Sequence, residues 1–296
     1  MPASLSLPRI STNVRFAAST LLFPELASAW AERLFLTPPR NGGAAAALDL
    51  IDARSSTLEH KGRHIATWRW GSRDAPAVIL SHGWGGYAAQ LRAFVFPLLS
   101  AGYQVIAYDQ PAHGVSEGRL TGLPDFAEVL AEIAWTHDAH AFIGHSLGGV
   151  AGALALANAR VRFRKMVLVS PPADLVGYSR RFARWHWMPE TVRRAMQSAI
   201  EDRYGVLWDS LEVARIAPRL SAQALVIHDR DDRIVPWTQG ARVAGFWPGA
   251  RLMSTDGLGH GRILGDDAVT RAAADFITGR SAVASVAAET QPAPLY

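Results

Sequence analysis

The sequence predicts an α/β protein built on a doubly wound, mostly parallel sheet. Short apolar runs alternate with longer helix-like segments through most of the chain, and parallel strands need crossovers that lay helices over both faces of a sheet. Runs such as Ala77-Val78-Ile79-Leu80 are apolar throughout, as suits strands buried in a sheet. A chain of 296 residues, 49% of them hydrophobic, has room for one large domain, or one domain plus an insertion.

Taken in order, Arg15–Phe23 followed by Ala27-Ser28-Ala29 resembles a secretory signal, but Pro24 and Glu25 interrupt it after about eight apolar residues, near the lower limit for such a region. The expectation is instead a helix over Glu25–Leu36, packed on the domain and stopped by Pro38-Pro39. A cytoplasmic protein is expected, with export through the signal-like segment as the alternative. Asn41–Ala47 reads as a linker, so residues 1–47 form an N-terminal extension. Strands are predicted at Arg63–Trp70, Ala77–Ser81, Tyr103–Tyr108, Ala139–Gly144, Met166–Ser170, Ala224–His228 and Arg251–Ser254. Helices are predicted at Ala88–Leu99, Pro124–His137, Leu147–Ala159, Gln239–Phe246 and Asp267–Ile277, with Pro124 well placed at a helix start. These define a core over 48–170 and 221–279. Residues 171–220 break the alternation and look helical, including Glu190–Arg203. Residues 280–296, rich in Ala, Ser and Pro, read as a disordered tail.

The most informative stretch is Gly144-His145-Ser146-Leu147-Gly148-Gly149, between a predicted strand and a predicted helix. G-x-S-x-G at such a junction is the nucleophile-elbow pattern. The turn forces the serine into a strained backbone conformation, and bulky neighbours would clash with strand or helix. The bare pattern arises by chance in roughly one chain in ten of this length, from ordinary glycine and serine frequencies, so its context decides. Upstream, Ser81-His82-Gly83-Trp84-Gly85-Gly86 follows an early strand, and the Trp84 N–H can join that of Leu147 in an oxyanion hole. Downstream, Asp229, Asp231 and Asp232 crowd a strand end; at least two of the three are expected to be solvated turn residues beside arginines. Asp229 and Asp231 are therefore expected to tolerate substitution, although the residues alone do not separate Asp232 from Asp231. Asp174, after the preceding strand, is a further candidate acid. His260, in Gly257-Leu258-Gly259-His260-Gly261, lies late in the chain after the acids. His82, His113 and His145 sit in the motif loops and are expected to hold those loops. A serine needs a base within hydrogen-bond reach to attack at neutral pH.

Serine, acid and histidine in that order, with Asp109-x-x-x-His113-Gly114-x-Ser116 and Asp232-x-x-Val235-Pro236, resemble the α/β-hydrolase family over roughly residues 60–278. The resemblance implies the α/β-hydrolase fold with a small helical cap insertion at 171–220. It implies Asp232 as the acid, three residues before the Val-Pro pair, giving Ser146, Asp232 and His260 as catalytic residues. It also implies that Trp84, Phe182, Trp185, Trp187 and Met188 bind substrate, although aromatics in such an insertion can equally anchor it. The family usually has glycine where this chain has Ala112. Serine at the elbow sets the chain apart from the branches that use aspartate there. The expected activity is hydrolysis of a small to medium apolar carboxylic ester through an acyl-enzyme, that is, a carboxylesterase. An amidase, peptidase, thioesterase or acyltransferase would use the same residues, and a noncatalytic ligand-binding protein on this scaffold is the alternative of another class.

Composition narrows the field. There is no cysteine, hence no disulfide, thiol nucleophile or cysteine zinc site. His137-x-x-His140 lacks the zinc-protease pattern, so no cofactor or metal is implied. The net charge is +4, but lysines occur only at 61 and 165 and the arginines are mixed with acids. No nucleic-acid partner follows from that pattern, and the expected partner is a small-molecule ester.

Overall fold

The computed structural model describes residues 24–40, 50 and 52–280. The signal-like stretch before Pro24, the linker residues 41–47 and the tail beyond Arg280 lie outside the described residues. The chain divides into two compact units. One joins the stretch through Thr37 with Asp174–Glu212, and the other comprises Pro38–Ala173 and the residues from Val213 onward.

Helix α1 (Pro24–Leu36) is the first element among the described residues. A hairpin follows, β1 (Arg54–His60) against β2 (Arg63–Trp70), with Lys61 and Gly62 both at positive φ in its two-residue turn. β1 is polar and largely exposed, which is why its seven residues gave no strand signal. β3 (Ala77–Ser81) is buried at every position. The predicted helix over 88–99 is a 3-10 stretch, Ala88–Phe94, that becomes α2 (Val95–Ser100). Then come β4 (Gln104–Tyr108), α3 (Leu123–Thr136), β5 (Ala141–His145), α4 (Leu147–Ala157) and β6 (Lys165–Val169). After the other unit's helices α5 (Leu175–Trp185) and α6 (Glu190–Tyr204), the chain continues through α7 (Val213–Ile216) and β7 (Gln223–Asp229). It ends with α8 (Trp237–Phe246), β8 (Arg251–Thr255), α9 (Gly259–Arg262) and α10 (Asp267–Thr278).

The eight strands form one sheet in the order β1-β2-β4-β3-β5-β6-β7-β8. β1, β2 and β4 pair antiparallel, and every pair from β4–β3 to β7–β8 is parallel. Parallel strands end together, so the loops after β3, β5, β7 and β8 emerge from one edge of the sheet. Open α/β sheets hold their ligands along that edge. Side chains such as Val78, Leu80, Ile143, Val167 and Ile227 fill one face of the core, each adding about 1.5–3 kcal/mol on burial. Small residues let α4 lie unusually close to the sheet: a Cβ on Gly152 would stand 2.4 Å from the Phe142 ring, and one on Gly144 2.6 Å from the Gly149 Cα.

The smaller unit has its own aromatic centre. Phe35 of α1 packs edge-on against Tyr178 and Phe182 of α5 and lies tilted at 30° against Trp208. Glu32 of α1 pairs with Arg203 of α6 at 2.6 Å. The helix predicted from Glu25 is therefore present, and its packing partners lie in 174–212.

Candidate active site

Ser146 occupies the turn between β5 and α4 with φ +51° and ψ −125°, a region that non-glycine residues rarely visit. It stays there because both sides are fixed. Its N–H donates to the Val169 carbonyl at 2.8 Å, and its own carbonyl accepts the Gly149 N–H at 3.0 Å. Gly83, after β3, approaches so closely that a Cβ there would lie 2.7 Å from the Ser146 Cβ. Leu147 is the first residue of α4, so its N–H has no partner inside the helix. The Trp84 N–H makes no hydrogen bond among the described residues.

His260 Nδ1 and Asp232 Oδ2 are 2.6 Å apart. The other oxygen of Asp232 accepts the N–H groups of Ile234 and Val235, each at 2.9 Å, and His228 Nε2 lies 3.4 Å from Oδ2. Burial by itself would raise this carboxyl, but the bonds to His228, His260 and Val235 outweigh it and hold it well below the usual carboxylate range. Ionised Asp232 thus fixes the proton of His260 on Nδ1 and leaves Nε2 as the basic nitrogen. Asp174, the competing acid, instead caps α5 by accepting the Gly177 N–H at 2.6 Å.

The three loop histidines are tied down as neutral rings. His82 Nε2 accepts the Gln110 N–H and its Nδ1–H donates to the Gly83 carbonyl. His113 Nε2 accepts the Gly85 N–H and its Nδ1–H donates to Pro111. His145 Nε2–H donates to the His260 carbonyl at 2.9 Å. Burial pushes His82 well below the ordinary value, His113 down to about 4 and His145 down to about 3, and the neighbouring histidines add to the shift at His82 and His145. Asp109 anchors the same region through the Ala88 and Val115 N–H groups. Ala112 stands at φ +65°, the left-handed conformation that explains the family's usual glycine there.

Ser146, His260, Trp84, His145, Gln90 and Arg262 share a cavity of about 600 Å³ whose lining comes entirely from the larger unit. The Trp84 ring stacks on Phe126. The remaining residues predicted to bind substrate lie in the smaller unit. There Phe182 packs on Phe35, Met188 is buried, and Trp185 and Trp187 are 60% and 65% exposed.

The strand-end acids depart from the sequence reading. Asp229 is no solvated turn residue: it is fully buried and accepts hydrogen bonds from Asp231, Leu258 and Gly259 N–H and from Thr255 Oγ1. Asp231 is exposed, yet it holds the Gly257 N–H at 2.9 Å. Adjacent carboxylates look alike in sequence, and only the backbone path after β7 turns each toward a different donor.

Comparison with known proteins agrees with this fold. The family model described as the alpha/beta hydrolase fold matches residues 76–214. A human serine hydrolase-like protein is 30% identical over 121 residues, covering 38% of this chain, and the chain spans 58% of that relative's length. A bifunctional esterase/perhydrolase of Acinetobacter calcoaceticus is 25% identical over 245 residues, covering 65% of this chain and 87% of its own. Among solved structures, a hydrolase from Pseudomonas aeruginosa superposes with a TM-score of 0.60 at 20% identity, covering 76% of this chain and 98% of its own. Among the described residues, no helix is long and apolar enough to cross a membrane.

Proposed function

We propose that this chain, which belongs to the α/β-hydrolase superfamily, is a serine hydrolase that cleaves carboxylic esters through an acyl-enzyme on Ser146. The observation that carries this reading is the 2.6 Å His260–Asp232 pair opening onto the same cavity as a serine at positive φ. The name of the Acinetobacter relative, an esterase and perhydrolase, supports an ester as the substrate class.

The chemistry follows from the residues. Ser146 Oγ attacks the carbonyl carbon while its proton passes to His260 Nε2. The carbonyl π electrons move onto oxygen, where the Trp84 and Leu147 N–H groups stabilise the charge. The intermediate collapses, the C–O bond to the alcohol breaks, and His260 returns the proton to the leaving oxygen. Water then repeats the sequence on the acyl-enzyme, releasing the acid and regenerating Ser146. Asp232 stays ionised throughout and orients the imidazole. Trp84 borders the bound substrate.

The test is covalent labelling with a fluorophosphonate probe, beside turnover of p-nitrophenyl esters and matched anilides. Wild type should label at Ser146 and turn over esters well ahead of anilides. Ser146→Ala should lose labelling and about six powers of ten in kcat, as when a triad serine is removed. Labelling at another serine, or unchanged turnover in Ser146→Ala, overturns the proposal.

A further inference from the structure

His260 rides on a loop that packing alone does not hold. A Cβ added at Gly257 or Gly261 would meet nothing within 4 Å, and one at Gly259 would meet only the Asp231 carbonyl at 4.0 Å. Gly257 and Gly259 both have positive φ, +76° and +66°. Leu258 packs on the core, and polar anchors hold the rest of the segment's backbone. Asp231 takes the Gly257 N–H and Arg262 its carbonyl, while three anchors converge on one buried side chain. Asp229 takes the Gly259 N–H at 2.8 Å on Oδ1, and the Leu258 N–H at 3.0 Å and Thr255 Oγ1 at 2.7 Å on Oδ2. The three donors lie within the six residues that end at His260.

Nothing else in its surroundings explains the carboxylate. Asp229 is fully buried, and no cation lies within salt-bridge reach of it among the described residues. Burying a charge without a counterion is costly unless hydrogen bonds replace its water. Here they more than do so, because the Gly259, Thr255, Leu258 and Asp231 bonds hold the carboxyl below its usual range against its burial. An apolar side chain of the same size would fill the space but leave the Leu258 and Gly259 N–H groups unpaired.

We infer that Asp229 is a positioning residue: its carboxylate clamps the Thr255–Gly259 segment to the end of β7 and so sets the distance and angle between His260 and Ser146. This inference rests on the serine-hydrolase reading above. Asp232 orients the ring about Nδ1, Asp229 places the backbone that carries the ring, and His145 holds the far side of the same backbone through the His260 carbonyl.

The experiment is a double-mutant cycle on full-length enzyme with p-nitrophenyl acetate, using Asp229→Asn, Thr255→Val, His260→Ala and each of the first two combined with His260→Ala. Asn keeps the shape of Asp229 but turns an N–H₂ group toward the Leu258 donor. Asp229→Asn should lower kcat by about 10- to 100-fold, the range expected when a reacting group is misplaced by up to an ångström, with KM within about threefold. Thr255→Val, which removes a single anchor, should lower kcat by about three- to tenfold on the same basis. On the His260→Ala background neither change should matter beyond about twofold, because a clamp that acts through His260 has nothing left to place. Asp229→Asn within twofold of wild-type kcat, or a loss of equal size with and without His260, overturns the inference. If Asp229→Asn does not fold, the Thr255→Val arm of the cycle decides by the same criteria. Full activity in His260→Ala itself would instead overturn the triad, a separate and distinguishable failure.

Discussion

The division of labour among carboxylates can be separated one residue at a time. Asp232→Asn preserves the acceptor for Ile234 and Val235 but presents an N–H₂ group, or loses the negative charge, opposite His260 Nδ1. The imidazole then favours the tautomer with its proton on Nε2, and kcat should fall by about three to four powers of ten. Asp174→Asn should be nearly silent, because Asn caps a helix about as well as Asp and Asp174 does no more than accept the Gly177 N–H. Initial rates with one p-nitrophenyl ester compare the two variants, and a mild Asp232→Asn beside a crippled Asp174→Asn would reverse the assignment. Ala112 offers a second single-residue measurement. Its φ of +65° strains a side chain that has a Cβ, so Ala112→Gly should raise stability by about 0.5–1 kcal/mol after the entropy lost to glycine in the unfolded chain. A urea midpoint below that of wild type would contradict this.

At the scale of elements, the strand-to-helix turn is built from glycines that differ sharply in what surrounds them. A Cβ on Gly148 would stand 2.4 Å from the His82 carbonyl oxygen and 2.5 Å from that of Ser81, both backbone atoms that cannot yield cheaply. Gly148→Ala should therefore cost about 1–3 kcal/mol as an overpacked site, and should depress kcat as well, because α4 carries Leu147 and its N–H. Gly245, exposed on α8 with open space around it, is the control, and Gly245→Ala should gain about 0.5–1 kcal/mol of stability. Thermal midpoints and ester rates for the pair separate the close approach from a general intolerance of alanine, and equal effects would remove the packing argument. The same contrast explains what the sequence could disclose. The elbow was legible because its glycines are a local pattern, and β3 to β7 were legible because each is a short, mostly buried run. β1 was not, because an edge strand with four exposed residues in a row carries no hydrophobic period. The role of Asp229 was hidden for a different reason: its donors lie 26 to 30 residues downstream, and no local rule links a strand end to a loop beyond a helix and another strand.

The whole molecule carries a consequence of having three neutral histidines buried around the site. His82, His113 and His145 each have their ring held uncharged by the fold, His113 at about 4 and His145 at about 3, against an ordinary 6.5. A folded-state value below the unfolded one means that, between the two, the unfolded chain binds a proton that the folded chain refuses. The stability contributed by these rings is therefore complete above about pH 6.5 and is lost progressively as the pH falls toward 4 and then 3. His113 and His145 each contribute about 1.4 kcal/mol per pH unit in that window, and His82, held well below the ordinary value, acts in the same direction, together a sizeable part of the 5–15 kcal/mol typical of a folded domain. Asp109 works in the opposite direction, since burial raises its carboxyl and protonation favours the fold, but it is one group against these three and His137, which burial also lowers. Asp229 and Asp232 are held low and lose their contribution only below the ordinary carboxylate value of 3.8, outside this window. Urea midpoints at pH 7.5 and pH 5.5 should therefore differ strongly in wild type. His145→Gln, whose amide N–H₂ can replace the donor to the His260 carbonyl without titrating, should show a clearly smaller difference than wild type, because one of these rings no longer takes up a proton on unfolding. Midpoints that coincide at the two pH values would mean that these histidines are already accessible to protons in the folded protein, and the loops over Ser146 would then be held by something other than neutral imidazoles.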